Sequence, residues 1–149
     1  MRAVIQRVDH ASVAVHHRVF SSIQRGILLL LGVEKGDEKA DADYILEKVI
    51  HLRIFEDEEG KMNRSLLDVD GSLMVVSQFT LLGNCVKGRR PSFIAAEEPK
   101  RAQTLYQYFI EKAAEKVKKI ATGRFQEMMK VELVNDGPVT ILLDSRKSF

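Results

Sequence analysis

Ser77-Gln78-Phe79-Thr80 places two hydroxyls and a carboxamide at the end of the most strand-like run in the chain. Ends of strands present polar groups to ligands. These side chains, with the backbone N–H groups beside them, could donate to an oxyanion developing on a substrate. The alternative is an ordinary strand end with a β-favouring Phe and Thr. A few residues on, Lys87-Gly88-Arg89-Arg90-Pro91 forms a dense basic loop suited to phosphate contact, or else to plain solvation. Near the C-terminus, Asn135-Asp136-Gly137-Pro138-Val139-Thr140 joins two strand-like runs. These are standard turn residues, so a hairpin is the direct expectation. A Gly-Pro bond can also be cis, which would bare the local backbone as a probe for a ligand.

Other signatures of chemistry are missing. There is no Gly-x-Gly-x-x-Gly, no phosphate-binding Walker loop and no Gly-x-Ser-x-Gly elbow. His10, His16, His17 and His51 lack the spacing of metal ligands, so neither a metal nor a cofactor is expected. His51 reads as a satisfied helix-end histidine and His16-His17 as a turn or strand edge. Cys85 has no base beside it in sequence, and Asp57-Glu58-Glu59 reads as a solvated turn.

The elements that must position these residues follow from periodicity. Residues 1–8 suggest a first strand, and 11–15 with 19–23 a second strand system broken at His16-His17-Arg18. Gly26 to Val33 is apolar on both faces, as in a buried strand. Ala42, Ile45, Leu46, Val49 and Leu52 recur at helical spacing over 40–52. A strand-like piece covers 52–55. Asp70-Gly71 turns the chain into a strand over 72–79, and the basic loop covers 83–92. Pro99 opens a long helix with the stripe Ala102, Leu105, Tyr106, Phe109, Ile110, Ala113 and Val117, ended at Thr122-Gly123. Two final strands flank Gly137-Pro138. The order predicts a mixed α/β chain: a curved, barrel-like sheet with two packed helices, without regular βαβ alternation.

Size and composition set the bounds. A chain of 149 residues is expected to form one domain spanning 1–149. Hydrophobic residues at 45% and charged residues at 30% are those of a globular protein. The single Cys85 points to a reducing compartment, hence the cytoplasm, and no secretory or membrane-spanning segment is expected. The net charge of +2 decides little about nucleic acid, since local clustering matters more. On these features alone a non-catalytic RNA-binding module stays open, with Lys112, Lys116 and Lys119 extending the basic patch. So does a structural dimer in which Gly137-Pro138 is only a turn.

Ser77-Gln78-Phe79-Thr80-Leu81 and Asn135-Asp136-Gly137-Pro138-Val139-Thr140 together resemble the two signatures of the D-aminoacyl-tRNA deacylase family. The likeness extends, in order, through Gln6-Arg7-Val8, Leu31-Gly32-Val33, Leu52 to Asp57, Gly60 to Asn63, Lys87 to Phe93 and Thr122 to Phe125. It implies an editing hydrolase that cleaves the ester between a D-amino acid and the terminal ribose of tRNA and spares the L-ester. It implies a homodimer with active sites at the subunit interface, each cis Gly137-Pro138 reaching into the partner's site. Glycine, which has no side chain to reject, would also be removed. Ser77, Gln78, Phe79 and Thr80 would be catalytic. Gly137, Pro138, Arg7, Phe125 and Met129 would bind substrate, with Arg7 holding the Gly-Pro orientation. Lys87, Arg89 and Arg90 would contact tRNA. Thr80 could attack as a nucleophile. The scheme preferred here has the ribose 2′-hydroxyl activate water while N–H groups near Gln78 and Phe79 hold the oxyanion. The chain departs from the pattern at Gln126-Glu127, where Gly-Ala is frequent, and at Leu82 to Cys85.

Overall fold

The computed structural model describes residues 1–149. Eight strands and two helices run in the order β1 (Arg2–Val15), β2 (Arg18–Ile23), β3 (Gly26–Gly32), α1 (Lys39–His51), β4 (Phe55–Glu56), β5 (Met62–Arg64), β6 (Ser72–Ser77), α2 (Pro99–Ala114), β7 (Ile120–Thr122) and β8 (Lys130–Asp144). A 3-10 turn at Phe79–Leu82 follows β6. The main sheet has the order β2-β1-β3-β6-β7, with β8 on the other edge of β1; β4 and β5 form a separate ribbon. Parallel pairs join β3 to β6 and β6 to β7. Ser21 on β2 donates to the Thr122 carbonyl on β7 at 2.6 Å, so the sheet curls almost closed. The mixed α/β, barrel-like architecture with two helices is as expected. No helix is long and apolar enough to cross a membrane.

The core is double. Ile27, Leu29 and Leu31 of β3 and Leu73 and Val75 of β6 face both helices, through Ile45, Val49, Leu105 and Phe109. Leu28, Met74 and Val76 point the other way, into a second cluster with Val8, Val13 and Ile23. These strands are buried on both faces, which is why their sequences read as unbroken apolar runs. β1 serves both cores. Ala3 and Ile5 face the helices and Val8 the second cluster; the phase then changes, so that Ala11, Val13 and Val15 face the second cluster too. The register against β8 shifts at the same place, around Val8. Arg7 is the last residue of the helix-facing row and is buried there.

Four expectations change. Residues 1–15 form one strand rather than two, because β8 pairs along its whole length. The second helix ends at Ala114, and the short β7 lies where its last turns were expected. β6 stops at Ser77 and tightens into the 3-10 turn. Most importantly, Gly137-Pro138 is not a hairpin. Both flanking runs belong to β8 and pair with the same strand, β1. β8 advances from Asn135 to Thr140 while β1 moves only from Val8 to Gln6, so the intervening residues bulge out of the ladder. The true hairpin tip is His16-His17, both left-handed (φ 50° and 62°), between β1 and β2.

Candidate active site

The cleft that holds the first signature has a volume of about 670 Å³ and lies between the end of β6, the start of α2 and the loop before β8. Ser77, Gln78, Phe79 and Thr80 line one side; Phe125 and Met129 line the other. β6 delivers the signature because its apolar residues are locked into the two cores up to Val76. The chain then turns sharply. The Gln78 N–H, expected among the oxyanion donors, is spent on the Leu31 carbonyl at 2.8 Å. The Phe79 and Thr80 N–H groups open the 3-10 turn and have no partner within it. Arg2, which carries no local sequence signal for this role, braces the turn from β1 by donating to the Leu81 carbonyl at 3.2 Å.

The Gln78 carboxamide donates to Thr80 Oγ1. No histidine lines the cleft. The Glu97 carboxylate faces it but already accepts the N–H of Glu98 at 2.9 Å and of Gly36 at 3.3 Å. Glu127 also lines the cleft, its carboxylate 3.8 Å from His16. Thr80 therefore has an orienting partner in Gln78 and no base hydrogen-bonded to it.

The far wall is built by Tyr106 and the loop after β7. The Tyr106 hydroxyl donates to the Val75 carbonyl at 2.7 Å, and its ring stacks obliquely on Phe125 with centroids 5.7 Å apart. Burial pushes the Tyr106 phenol far above its ordinary value, so it remains a donor throughout the neutral range. The Arg124 N–H donates to the Met129 sulfur at 3.3 Å. Gln126, at a position where the resemblance has glycine, keeps φ at 61°. The departure in sequence thus preserves a left-handed turn at a cost of about 1–2 kcal/mol.

Arg7, Gly137 and Pro138 form a second group that does not line this cleft. The Gly137-Pro138 peptide is cis, and both residues are exposed. Arg7 Nε donates to the Asp136 carbonyl at 2.9 Å, and the Asp136 carboxylate lies 3.1 Å from the same nitrogen. Arg7 Nη1 donates to the Ile54 carbonyl at 2.6 Å, so one guanidinium ties the bulge to the segment between α1 and β4. Asn135 closes the bulge from within. Its amide donates to the Val139 carbonyl at 3.3 Å and its Oδ1 accepts the Val139 N–H at 2.7 Å, replacing the lost ladder bonds. The Asn-x-Gly-Pro spacing holds this clamp, which turn preference alone does not reveal.

Lys87, Arg89 and Arg90 lie exposed on their loop, outside the cleft lining. The lysines expected to extend the patch face acids: Lys112 lies 2.8 Å from Glu115, Lys116 pairs with Glu47, and Lys119 shares Asp70, at 4.0 Å, with Lys118. His51 pairs with Glu47 at 3.4 Å at the end of α1. Asp57 does more than meet solvent: its carboxylate caps the β4–β5 turn, accepting from Glu59 N, Lys61 N and Asn63.

A sequence model of the family described as D-Tyr-tRNA(Tyr) deacylase matches residues 4–144. A D-aminoacyl-tRNA deacylase of Syntrophus aciditrophicus (strain SB) is 63% identical over 149 residues, 100% of each chain. One of Koribacter versatilis (strain Ellin345) is 56% identical over 149 residues, again 100% of each. Among solved structures, the c-Myc DNA Unwinding Element Binding Protein superposes with a TM-score of 0.92 at 39% identity, covering 97% of this chain and 98% of that one. A probable eukaryotic D-amino acid tRNA deacylase, 16% identical, shares the fold with a TM-score of 0.79 over 95% of this chain and 97% of its own. The chain belongs to the D-Tyr-tRNA(Tyr) deacylase family.

Proposed function

We propose that this deacylase hydrolyses the ester of D-aminoacyl-tRNA in a site completed by two copies of the chain. The observation that carries the proposal is the separation of the two signatures. The cleft of Ser77 to Thr80, Phe125 and Met129 lacks Gly137-Pro138, while Gly137-Pro138 is held rigidly outward by Arg7 and Asn135. A second copy brings its Gly-Pro backbone to the cleft. β8 supports that arrangement, since its outer edge carries no partner strand and it exposes Val134 and Leu142.

In the completed site the terminal nucleoside of tRNA enters the cleft beside Phe125 and Met129. The ester carbonyl lies against the Phe79 and Thr80 N–H groups, which stabilise the oxyanion as it forms. Thr80, oriented by Gln78, positions the substrate, and the ribose 2′-hydroxyl activates the attacking water. The missing base beside Thr80 supports this scheme over nucleophilic attack. A D-amino acid directs its side chain away from the partner's Gly137-Pro138 backbone. An L-amino acid drives its side chain into that backbone and is rejected by clash rather than by a side-chain pocket. Glycyl-tRNA passes the same filter. The exposed Lys87, Arg89 and Arg90 contact tRNA phosphates, in the cytoplasm where the substrate is made.

Complementation tests the shared site. One chain carries Ser77→Trp, which fills its cleft; the other carries Gly137→Trp, which spoils the probe it lends. Each alone is expected to be inactive. Co-refolded, they regain activity, because the mixed dimer pairs one intact cleft with one intact Gly-Pro. No recovery in a dimer shown to be mixed would contradict the shared site.

A further inference from the structure

Beside the cleft lies a second concavity, of about 440 Å³, lined by Val15, His16, Arg18, Val19, Phe20 and Arg124. We propose that this notch binds the phosphodiester and base of the nucleotide preceding the terminal aminoacylated nucleoside of tRNA. The inference rests on the deacylase reading of the neighbouring cleft.

Three observations carry it. First, the two arginines are unpaired. Arg18 and Arg124 project from β2 and from the loop after β7, and neither has a carboxylate within ion-pair distance. Two guanidiniums on one small concavity suit a phosphate, which they grip through forked donors. Second, the Arg124 guanidinium sits 5.6 Å from the centroid of the Phe20 ring, and Phe20 is 47% exposed. A half-open aromatic ring beside an arginine is a stacking platform for an unpaired base. Third, the notch and the cleft share a wall. Arg124 directly precedes Phe125, which lines the cleft. His16 of the notch lies 3.8 Å from the carboxylate of Glu127, another cleft residue. A polynucleotide whose last nucleoside occupies the cleft leaves across this wall. The left-handed His16-His17 tip sets Arg18 directly opposite Val15, so the notch is built into the hairpin rather than hung on a loose loop.

The test uses the intact protein and uncharged tRNA, with Arg18→Gln/Arg124→Gln and Phe20→Ala as variants. Wild-type protein is expected to bind tRNA lacking only its terminal nucleotide about tenfold more tightly than tRNA lacking its last two nucleotides. The variants lose that preference, and the double variant lowers the salt dependence of binding by about one log unit per log unit of salt. Kinetics add a second readout: KM rises about tenfold more for D-aminoacyl-tRNA than for a D-aminoacyl ester of adenosine alone. Variants that keep the preference for the penultimate nucleotide would overturn the proposal. Equal losses on the tRNA and adenosine esters would also overturn it, by assigning the arginines to the cleft or the fold. A change in molar mass on Phe20→Ala, without a change in tRNA affinity, would assign the notch to protein contact instead. If wild-type protein cleaves neither ester, the deacylase reading fails, while the tRNA binding comparison still decides the notch.

Discussion

Arg7 Nε and the Asp136 carbonyl oxygen are 2.9 Å apart, which fixes the residue before Gly137 to a buried guanidinium on β1. The same guanidinium holds Ile54, so the Gly-Pro bulge is anchored to the core rather than to solvent. Lysine offers one compact ammonium in place of this fork. Arg7→Lys is expected to lower kcat/KM for D-aminoacyl-tRNA by about 10- to 100-fold. It should also lower the unfolding free energy by about 2 kcal/mol, since buried carbonyls lose a charged donor. Denaturant unfolding and steady-state kinetics measure both; unchanged kinetics with lowered stability would confine Arg7 to the fold.

Gly137 has φ at 137°, and a Cβ built there would lie 2.7 Å from Val139 Cγ2 and 3.0 Å from Val139 N. Gly137→Ala is expected to cost about 1–3 kcal/mol of stability, which leaves the chain folded. Its new methyl group intrudes on the surface presented to substrate. Cleavage of the D-ester should fall at least about 100-fold, beyond what the loss of folded protein explains. Circular dichroism beside single-turnover hydrolysis separates the two effects.

Much of this arrangement follows from local pattern, and the rest does not. The runs Ile27 to Leu31 and Leu73 to Val76 announce strands buried on both faces, and the stripe from Ala102 to Val117 announces a core-facing helix. Asn135 to Pro138 misleads because turn preference is a property of a few residues. Whether the chain reverses depends on what lies opposite, and here both flanks find β1. The strand Ile120–Thr122 is too short to show a period, and its pairing with β6 is non-local. Tyr106 reads as one more apolar position on α2, though its hydroxyl reaches Val75 and its ring forms the cleft wall. The helix lysines look like a free basic face in sequence, because the acids that answer Lys116 and Lys119 come from distant segments.

Thr80 accepts a hydrogen bond from Gln78 and meets no base. Thr80→Val keeps its shape and removes the hydroxyl. The positioning role predicts a fall in kcat of less than about tenfold, against the several orders of magnitude that follow removal of a nucleophile. Rapid-quench turnover with acid trapping provides the readout, and an acyl-enzyme on the wild-type chain would contradict the positioning role.

Asp144, buried at the end of β8, is one of the carboxylates that contribute to acid stability. Burial alone would push its carboxyl up. The Ser148 hydroxyl, the Arg146 N–H and the Met1 and Arg2 charges outweigh this and hold it below its ordinary 3.8. A lowered folded-state value means the stabilisation is complete above 3.8 and is lost as pH falls through the folded value. Thermal melts should therefore lose stability below about pH 4, and Asp144→Asn should flatten that part of the curve while lowering stability at neutral pH. Parallel curves for the two proteins throughout the acid range would contradict the assignment.

The central claim is chiral cleavage, and the most direct measurement compares the release of matched D- and L-tyrosine from tRNA by the purified protein against an enzyme-free control. The account predicts rapid release of D-tyrosine, with the L-ester decaying no faster than in the control. Equal release of both enantiomers would contradict the Gly137-Pro138 filter, and release of neither by folded protein that binds tRNA would contradict the deacylase itself.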